Sequence, residues 1–457
     1  MYKKLMALLL VGALLMSLLV GCGPKEEAAS NDGEAQETTG GTTEEGAEQE
    51  VEEIELTFMH NLLEETEGGA AIAFRDAIDK VLSENPGLTI TEEALASSSY
   101  HTKIKTTAAG NELPDIFVIR ASMLDMLIET ELVGSIEEDL NADTDWKDGF
   151  LDGSFQAFSR GDEIYGIPLS AKSTSVVFYN EDIFNEVGIE QFPQNFEEFK
   201  QAVATLAENG YTPISLGNKD KWVAQSCIIS TLGDRFTGTE WFDSILNEGG
   251  ASFTDQEFVN ALNAMKELAD LNGFNEDSSS IDNMQQRTPY YNREAAMFIE
   301  GAWAIGDVSK DAPEDILKAT KLALLPPVEG SKGRADAFSG GSSVAFVINS
   351  ELSGEKRALA VEVLKALSSP EYGKTMTEYN KFAAVKPAAY DESKLTELTK
   401  QYMELAGKTT FTPVYDAYLP PAVIEVINSG LQELVIDLVT PEELADKIQK
   451  EYERTLE

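Results

Sequence analysis

The sequence predicts an α/β protein in two lobes, with parallel or mixed sheets flanked by helices. Three observations predict it. The chain has 457 residues, beyond the roughly 250–300 at which a single hydrophobic core stops growing. Its first folded stretch alternates strand and helix patterns, the signature of a parallel sheet. Farther along, Ala295-Ala296-Met297-Phe298-Ile299 is a continuous apolar run that suits a strand buried on both faces.

The N-terminus precedes the fold. Lys3 and Lys4 stand before an apolar run from Leu5 to Val20, a charged n-region followed by an h-region. The run ends in Leu19-Val20-Gly21-Cys22, which resembles a bacterial lipobox. Residues 1–21 are therefore expected to be a signal peptide, and Cys22 to carry a diacylglyceryl (palmitate-type) anchor on the extracytoplasmic face of a cell membrane. Two acyl chains anchor stably where one is marginal. From residue 22 to 53 the chain is Glu, Thr, Gly, Ala, Gln and Ser with almost no large apolar residue; it cannot offset ordering entropy and reads as an acidic, disordered tether.

The elements then follow in order. Ile54, Leu56 and Phe58 alternate with Glu55 and Thr57, a first strand ending at Met59-His60-Asn61. Phe74, Ala77, Ile78, Val81 and Leu82 form one helical stripe, closed by Asn85-Pro86-Gly87. A short β-like stretch (88–91), a helix from Tyr100 to Ala109 and a buried strand from Asp115 to Ile119 complete the first alternation. Ser175–Asn180 is another strand. Asn195 with Glu198, Thr254-Asp255-Gln256-Glu257, and Thr440-Pro441-Glu442-Glu443 are N-terminal capping signatures. Phe338–Asn349 reads as one glycine-broken strand and Gly354–Leu367 as a helix.

Charge and composition narrow the function. With 35 basic and 80 acidic residues, a net charge of −45, the chain would repel nucleic acid and anionic membrane surfaces. Cys227 is the one cysteine beyond Cys22, so the mature chain has no internal disulfide, and Cys227 reads as a small buried hydrophobe. The two histidines, His60 and His101, leave little for a histidine metal site or base, and His101 reads as a solvated helix residue. Asp139-Leu140-Asn141-Ala142-Asp143-Thr144-Asp145 mimics the start of a calcium loop, but Thr144 stands where glycine is needed and Phe150 where an acid is needed. No cofactor or metal is expected, and no P-loop, nucleophile elbow or zinc motif is present. A carboxylate pair for glycoside hydrolysis stays open on counting alone.

Trp303 stands just past the apolar run and the turn at Gly301, at the sheet edge where α/β folds bind ligands. Together with the lipobox, Leu113-Pro114-Asp115-Ile116, Gly166-Ile167-Pro168 followed by Tyr179-Asn180, Ala295-Ala296-Met297 followed by Gly301-Ala302-Trp303, and Phe338-Ser339-Gly340-Gly341 before Ala345, it makes the chain resemble the family 1 extracellular solute-binding proteins, the maltose-binding-like receptors of ABC importers. The resemblance covers about residues 54–455. It implies the two-lobed, type II-like periplasmic-binding-protein fold with hinge strands near 168–172, 338–347 and 386. One lobe would comprise 54–168 and 345–386, the other 169–344 and 387–457. It implies no enzyme but a monomeric receptor that captures a small solute, a sugar or oligosaccharide, and delivers it to the transmembrane subunits of an ABC permease. By residue, it carries over Trp303 as a stacking position, Trp222, Tyr415, Tyr418 and Trp241 as further ring contacts, and His60, Asn61, Ser122, Lys172 and Ser173 as polar contacts. Asp115 and Asn180 match motifs that look structural. Many such sugar receptors have an acid near the first crossing where this chain has Lys172-Ser173-Thr174, which leaves open an acidic, phosphorylated or amino-acid-like solute. A surface glycosidase or esterase is the rival of another class.

Overall fold

The apolar alternation at Ile54, Leu56 and Phe58 becomes strand β1 (Ile54–His60), with Leu56 and Phe58 buried. The computed structural model describes residues 53–63, 68–247 and 249–456, without the side chains of 97, 98 and 101. The expected leader, Cys22, the tether up to residue 52 and the His101 side chain lie outside the described residues.

After β1 come β2 (Leu88–Ala94), β3 (Ile116–Arg120) and β4 (Val133–Gly134), then a hairpin of β5 (Ser159–Arg160) and β6 (Glu163–Ile164), then β7 (Ile167–Pro168). Next are β8 (Lys172–Ser173), β9 (Val176–Asn180), β10 (Thr212–Ser215), β11 (Ala295–Glu300) and β12 (Thr320–Ala323). The last strands are β13 (Ala337–Gly341), β14 (Val344–Asn349) and β15 (Thr410–Thr412).

The first sheet runs β2-β1-β3-β14-β4, with β7 also on β14. β1 is parallel to β2 and β3, with Leu56 opposite Ile90 and Phe58 opposite Ile116. Parallel neighbours need a crossover, and the helices Gly69–Glu84 and Ser97–Ala109 supply it. β14 joins antiparallel, making the sheet mixed. A second sheet runs β10-β11-β9-β12 and a third β15-β13-β8.

Every residue of β11 is buried. The pleat explains why the run is apolar throughout. Met297 and Ile299, with Val177 of β9, face a core that also holds Phe199, Phe258 and Ile427; Phe298, with Val176 and Phe178, faces another that holds Phe338 and Tyr402. Phe178 and Phe298 stack at 4.6 Å and 7°.

Two expectations are corrected. The glycine-broken strand is two strands in different sheets: β13 pairs β8 while β14 returns to the first sheet, and Gly341 turns the chain between them at φ 115°, a conformation that favours glycine. The capping box at Thr254–Glu257 does not close, because the Asp255 carboxylate instead accepts from Ser252 N and Trp241 Nε1, both at 2.9 Å. The other two caps form. Asn195 Oδ1 accepts from Glu198 N at 2.9 Å, and Thr440 and Glu443 exchange bonds reciprocally at 3.0 and 3.2 Å. The calcium-loop mimic is helical; Asp139 pairs Arg357, and Asp143 caps Trp146 N and pairs Lys365.

Candidate solute-binding site

The site is built from the end of β11. Glu300 terminates the strand and is fully buried. A buried carboxylate persists only where donors replace its water. Glu300 has five: Arg287 Nε at 2.9 Å and Nη2 at 2.7 Å, Gln286 Nε2 at 3.1 Å, Asn283 Nδ2 at 2.9 Å and Trp303 Nε1 at 2.9 Å. Burial works against the Arg287 charge, but Glu300 and then Asp307, 3.0 Å from Nη1, hold its pKa above the usual arginine value. The indole of Trp303 is thus tied to a fixed charge, not left to rotate on a loop.

The backbone fits that pose. A Cβ at Gly301 would lie 2.0 Å from Trp303 Cζ3, so the ring folds back over a residue that must lack a side chain. Gly301→Ala is expected to push the ring off and to cost about 1–3 kcal/mol, as overpacking does; differential scanning calorimetry and Trp303 emission check both effects.

Around this indole the structure gathers two more expected residues. The Trp222 ring lies 5.9 Å from that of Trp303 at 54°, and Lys172 Nζ sits 5.7 Å over the Trp303 ring, within cation–π range. Trp222 leads directly into Ala224–Ile229, a stretch of π-helix, a geometry frequent at functional sites. Behind it Cys227 is fully buried and unpaired, as expected. Ser122 and Tyr418, both half-buried, line a separate cavity of about 340 Å³ with Arg160, Asp125, Lys105 and Pro420.

The remaining expected contacts have other partners. Ser173 is fully buried; its Oγ donates to Ser339 O and accepts from Ser175 N, its N–H donates to Tyr402 Oη, and its carbonyl accepts from Ala302 N. Tyr415 is buried and stacked on Phe242 at 4.8 Å. Trp241 stacks on Phe258 at 5.2 Å and 11°. Tyr415 and Trp241 thus stack on other rings, whereas Ser173 meets the turn that carries Trp303 through Ala302. Asn61 follows β1, half-buried.

His60 is buried between Phe58 and Phe74. Leu62 N donates to its Nδ1 at 3.2 Å, leaving Nε2 to donate to Glu92 Oε2 at 3.1 Å. Glu92 also takes both amino groups of Arg75. Burial alone would raise the Glu92 pKa; the bonds from His60 and Arg75 outweigh it and hold it at about 2, against an ordinary 4.5. A depressed acid contributes stability above its unfolded pKa and loses it as pH falls toward its folded one. Acid titration followed by circular dichroism is therefore expected to show stability lost between about pH 4.5 and 2, with a shallower loss in Glu92→Gln.

Sequence reading missed Glu300, Arg287 and Arg235. The first had a signal, an acid closing a wholly apolar strand. Arg235, fully buried, donates to the carbonyls of Leu325, Arg334 and Ala337, holding the approach to β13; nothing local in the sequence announces that.

Comparison with known proteins places this arrangement. Residues 69–374 match the family model described as bacterial extracellular solute-binding protein. The chain belongs to that family. This solute-binding protein is 24% identical over 310 residues to an uncharacterised ABC transporter extracellular-binding protein of Pyrococcus horikoshii, covering 66% of this chain and 65% of that relative's length. A structure solved in connection with xylan utilisation by the thermophilic bacterium Caldanaerobius polysaccharolyticus superposes with a TM-score of 0.77 at 26% identity, over 87% of this chain and 99% of that one. A chitin oligosaccharide binding protein superposes at 0.78 and 22% identity, over 88% and 98%, a likeness of fold. Among the described residues no helix is long and apolar enough to cross a membrane.

Proposed function

We propose that this solute-binding protein is a monomeric, lipid-anchored receptor that captures a sugar or oligosaccharide between two lobes and delivers it to the membrane subunits of an ABC importer. The observation that carries the carbohydrate reading is the Trp303 indole, held by Glu300 at 2.9 Å and flanked by Trp222 and Lys172. Sugar rings present apolar C–H faces that suit a fixed aromatic plane, and their hydroxyls need polar partners on burial. The xylan-linked and chitin-oligosaccharide neighbours support the same class.

The lobes we assign are 54–168 with 345–386, and 169–344 with 387–457. The assignment is supported by strand exchange: the chain leaves the first sheet at β7, passes β8 and enters the second at β9, then returns through β13 to β14. Solute that binds the closed arrangement better shifts the population toward it. Cys22 would carry the anchor, keeping the receptor near the extracytoplasmic membrane face.

A thermal-shift screen of residues 23–457 against mono- and oligosaccharides, uronic acids, sugar phosphates and amino acids tests the reading. A ligand at 100 times its dissociation constant adds about 2.7 kcal/mol. Stabilisation by an oligosaccharide series supports the carbohydrate receptor; stabilisation by amino acids alone, or turnover of a chromogenic glycoside, overturns it.

A further inference from the structure

On the side of β8 turned away from Trp303 lies a cavity of about 780 Å³, a volume usual for small-molecule sites. The pleat separates the two places. Successive side chains of an extended chain point to opposite faces: Lys172 reaches over the Trp303 ring, while Ala171, just before it, lines the cavity. Tyr402, whose Oη accepts from Ser173 N at 2.9 Å, stands in the same wall. Trp303, Trp222 and Lys172 do not line it.

The wall is largely apolar, with Val385, Met403 and Ala406 among its residues. Its aromatic face is fixed. Phe411 is 41% exposed, yet a Cβ on Gly340 would lie 2.5 Å from Phe411 Cδ1, so the ring rests on bare backbone, with the Phe338 ring 5.4 Å away. Set into this wall are the hydroxyls of Ser342 and Thr412, residues 7% and 3% exposed, and neither hydroxyl has a hydrogen-bond partner. Buried hydroxyls left unpaired are costly and uncommon. A bound molecule with a polar group would satisfy them.

Charge selects the molecule. Among the described residues that line the cavity there is no lysine, arginine or histidine. Asp152 and Asp243 stand exposed in its lining, and among the described residues neither is in an ion pair. Lys386, between the lining residues Val385 and Pro387, instead donates to Asp148 O at 2.9 Å. An anion would meet two uncompensated carboxylates. An ammonium is attracted to them, donates up to three hydrogen bonds and is favoured near aromatic faces.

We propose that this cavity is a second ligand site, separate from the Trp303 cluster, which takes a small organic cation: an ammonium carried on an apolar, aromatic body. The body packs on Phe411 and the apolar wall, the ammonium faces Asp152 and Asp243, and the Ser342 and Thr412 hydroxyls take a polar group on the body.

Isothermal titration of the receptor with tyramine, beside its isosteric acid 3-(4-hydroxyphenyl)propionate, tests this. Tyramine is expected to bind once per chain and about tenfold or more tighter than the acid. The double variant Asp152→Asn, Asp243→Asn changes two exposed, unpaired positions, so it should fold like the parent and bring the two probes within about twofold of each other. Phe411→Ala should weaken tyramine about tenfold. Trp303→Ala should hold it within about twofold of the parent. If the acid binds as tightly as the amine, or the double variant keeps the preference, the ligand class is overturned. If Trp303→Ala abolishes tyramine binding, the amine sits at the Trp303 cluster and the second site falls. If neither probe binds, the cavity holds solvent only and the inference falls, while solute capture at Trp303 is read independently by the sugar screen.

Discussion

Truncating Glu300 to alanine is expected to lower the melting midpoint by about 6–20 °C. The change removes one partner of a buried ion pair, which typically costs about 3–5 kcal/mol, because the other charge stays buried without compensation, and a domain of this size shifts by about 2–4 °C per kcal/mol. Arg287 is the stranded charge, and Asn283, Gln286 and the Trp303 indole each lose their acceptor at the same time. Glu300→Gln should fall between, since its carbonyl still accepts from one neighbour while its amide confronts Arg287. Replacing Glu300 and Arg287 together by methionine should recover much of the loss, as buried pairs exchanged for apolar side chains often do. That double variant would still leave the indole without its anchor. Solute affinity lowered in a protein of near-parental stability would separate the orienting role of Glu300 from its structural one; calorimetry and titration on the same three variants read both.

Trp303→Ala is expected to cost the largest share of solute affinity, about 2–4 kcal/mol, or roughly 30- to 1,000-fold, as for a central aromatic hot spot. The expectation rests on its contacts: the ring is pinned at Nε1, backed by Trp222 and overlaid by Lys172. Little orienting entropy remains to be lost when a sugar face stacks on it. Trp303→Phe keeps a face but gives up the Glu300 bond, so it should retain part of the affinity. Trp241→Ala, with a ring already stacked on Phe258, should lower stability and leave affinity near the parental value. Titration with the ligand from the thermal screen checks all three, and equal affinity of Trp303→Ala and parent would refute the stacking role.

The family and the order of its elements were legible along the chain because they depend on local pattern. Alternation wrote β1, the unbroken apolar run wrote β11, and the spacing of Asn195 to Glu198 and Thr440 to Glu443 wrote two helix starts. Trp303 was legible for the same reason, as an aromatic just past a buried strand. Local pattern failed where one residue had two possible partners. At Thr254–Glu257 the capping signature was present, but Asp255 serves the Trp241 indole instead. At Phe338–Asn349 one apolar pattern covers two strands, because alternation does not say which sheet a strand joins.

What the sequence by itself determined is the α/β alternation, the family resemblance, and the position of Trp303 just past a buried strand. Only the tertiary structure decided which candidates share a site. It set Lys172 over Trp303 from 131 positions away in the chain, tied Trp303 to the buried Glu300, and engaged Ser173 in bonds to Ser339, Ser175, Tyr402 and Ala302. The physical reason is that a hydrogen bond or a buried charge is satisfied in space, by whichever group the packed sheets bring within about 3 Å, whereas periodicity records only which face of an element turns inward.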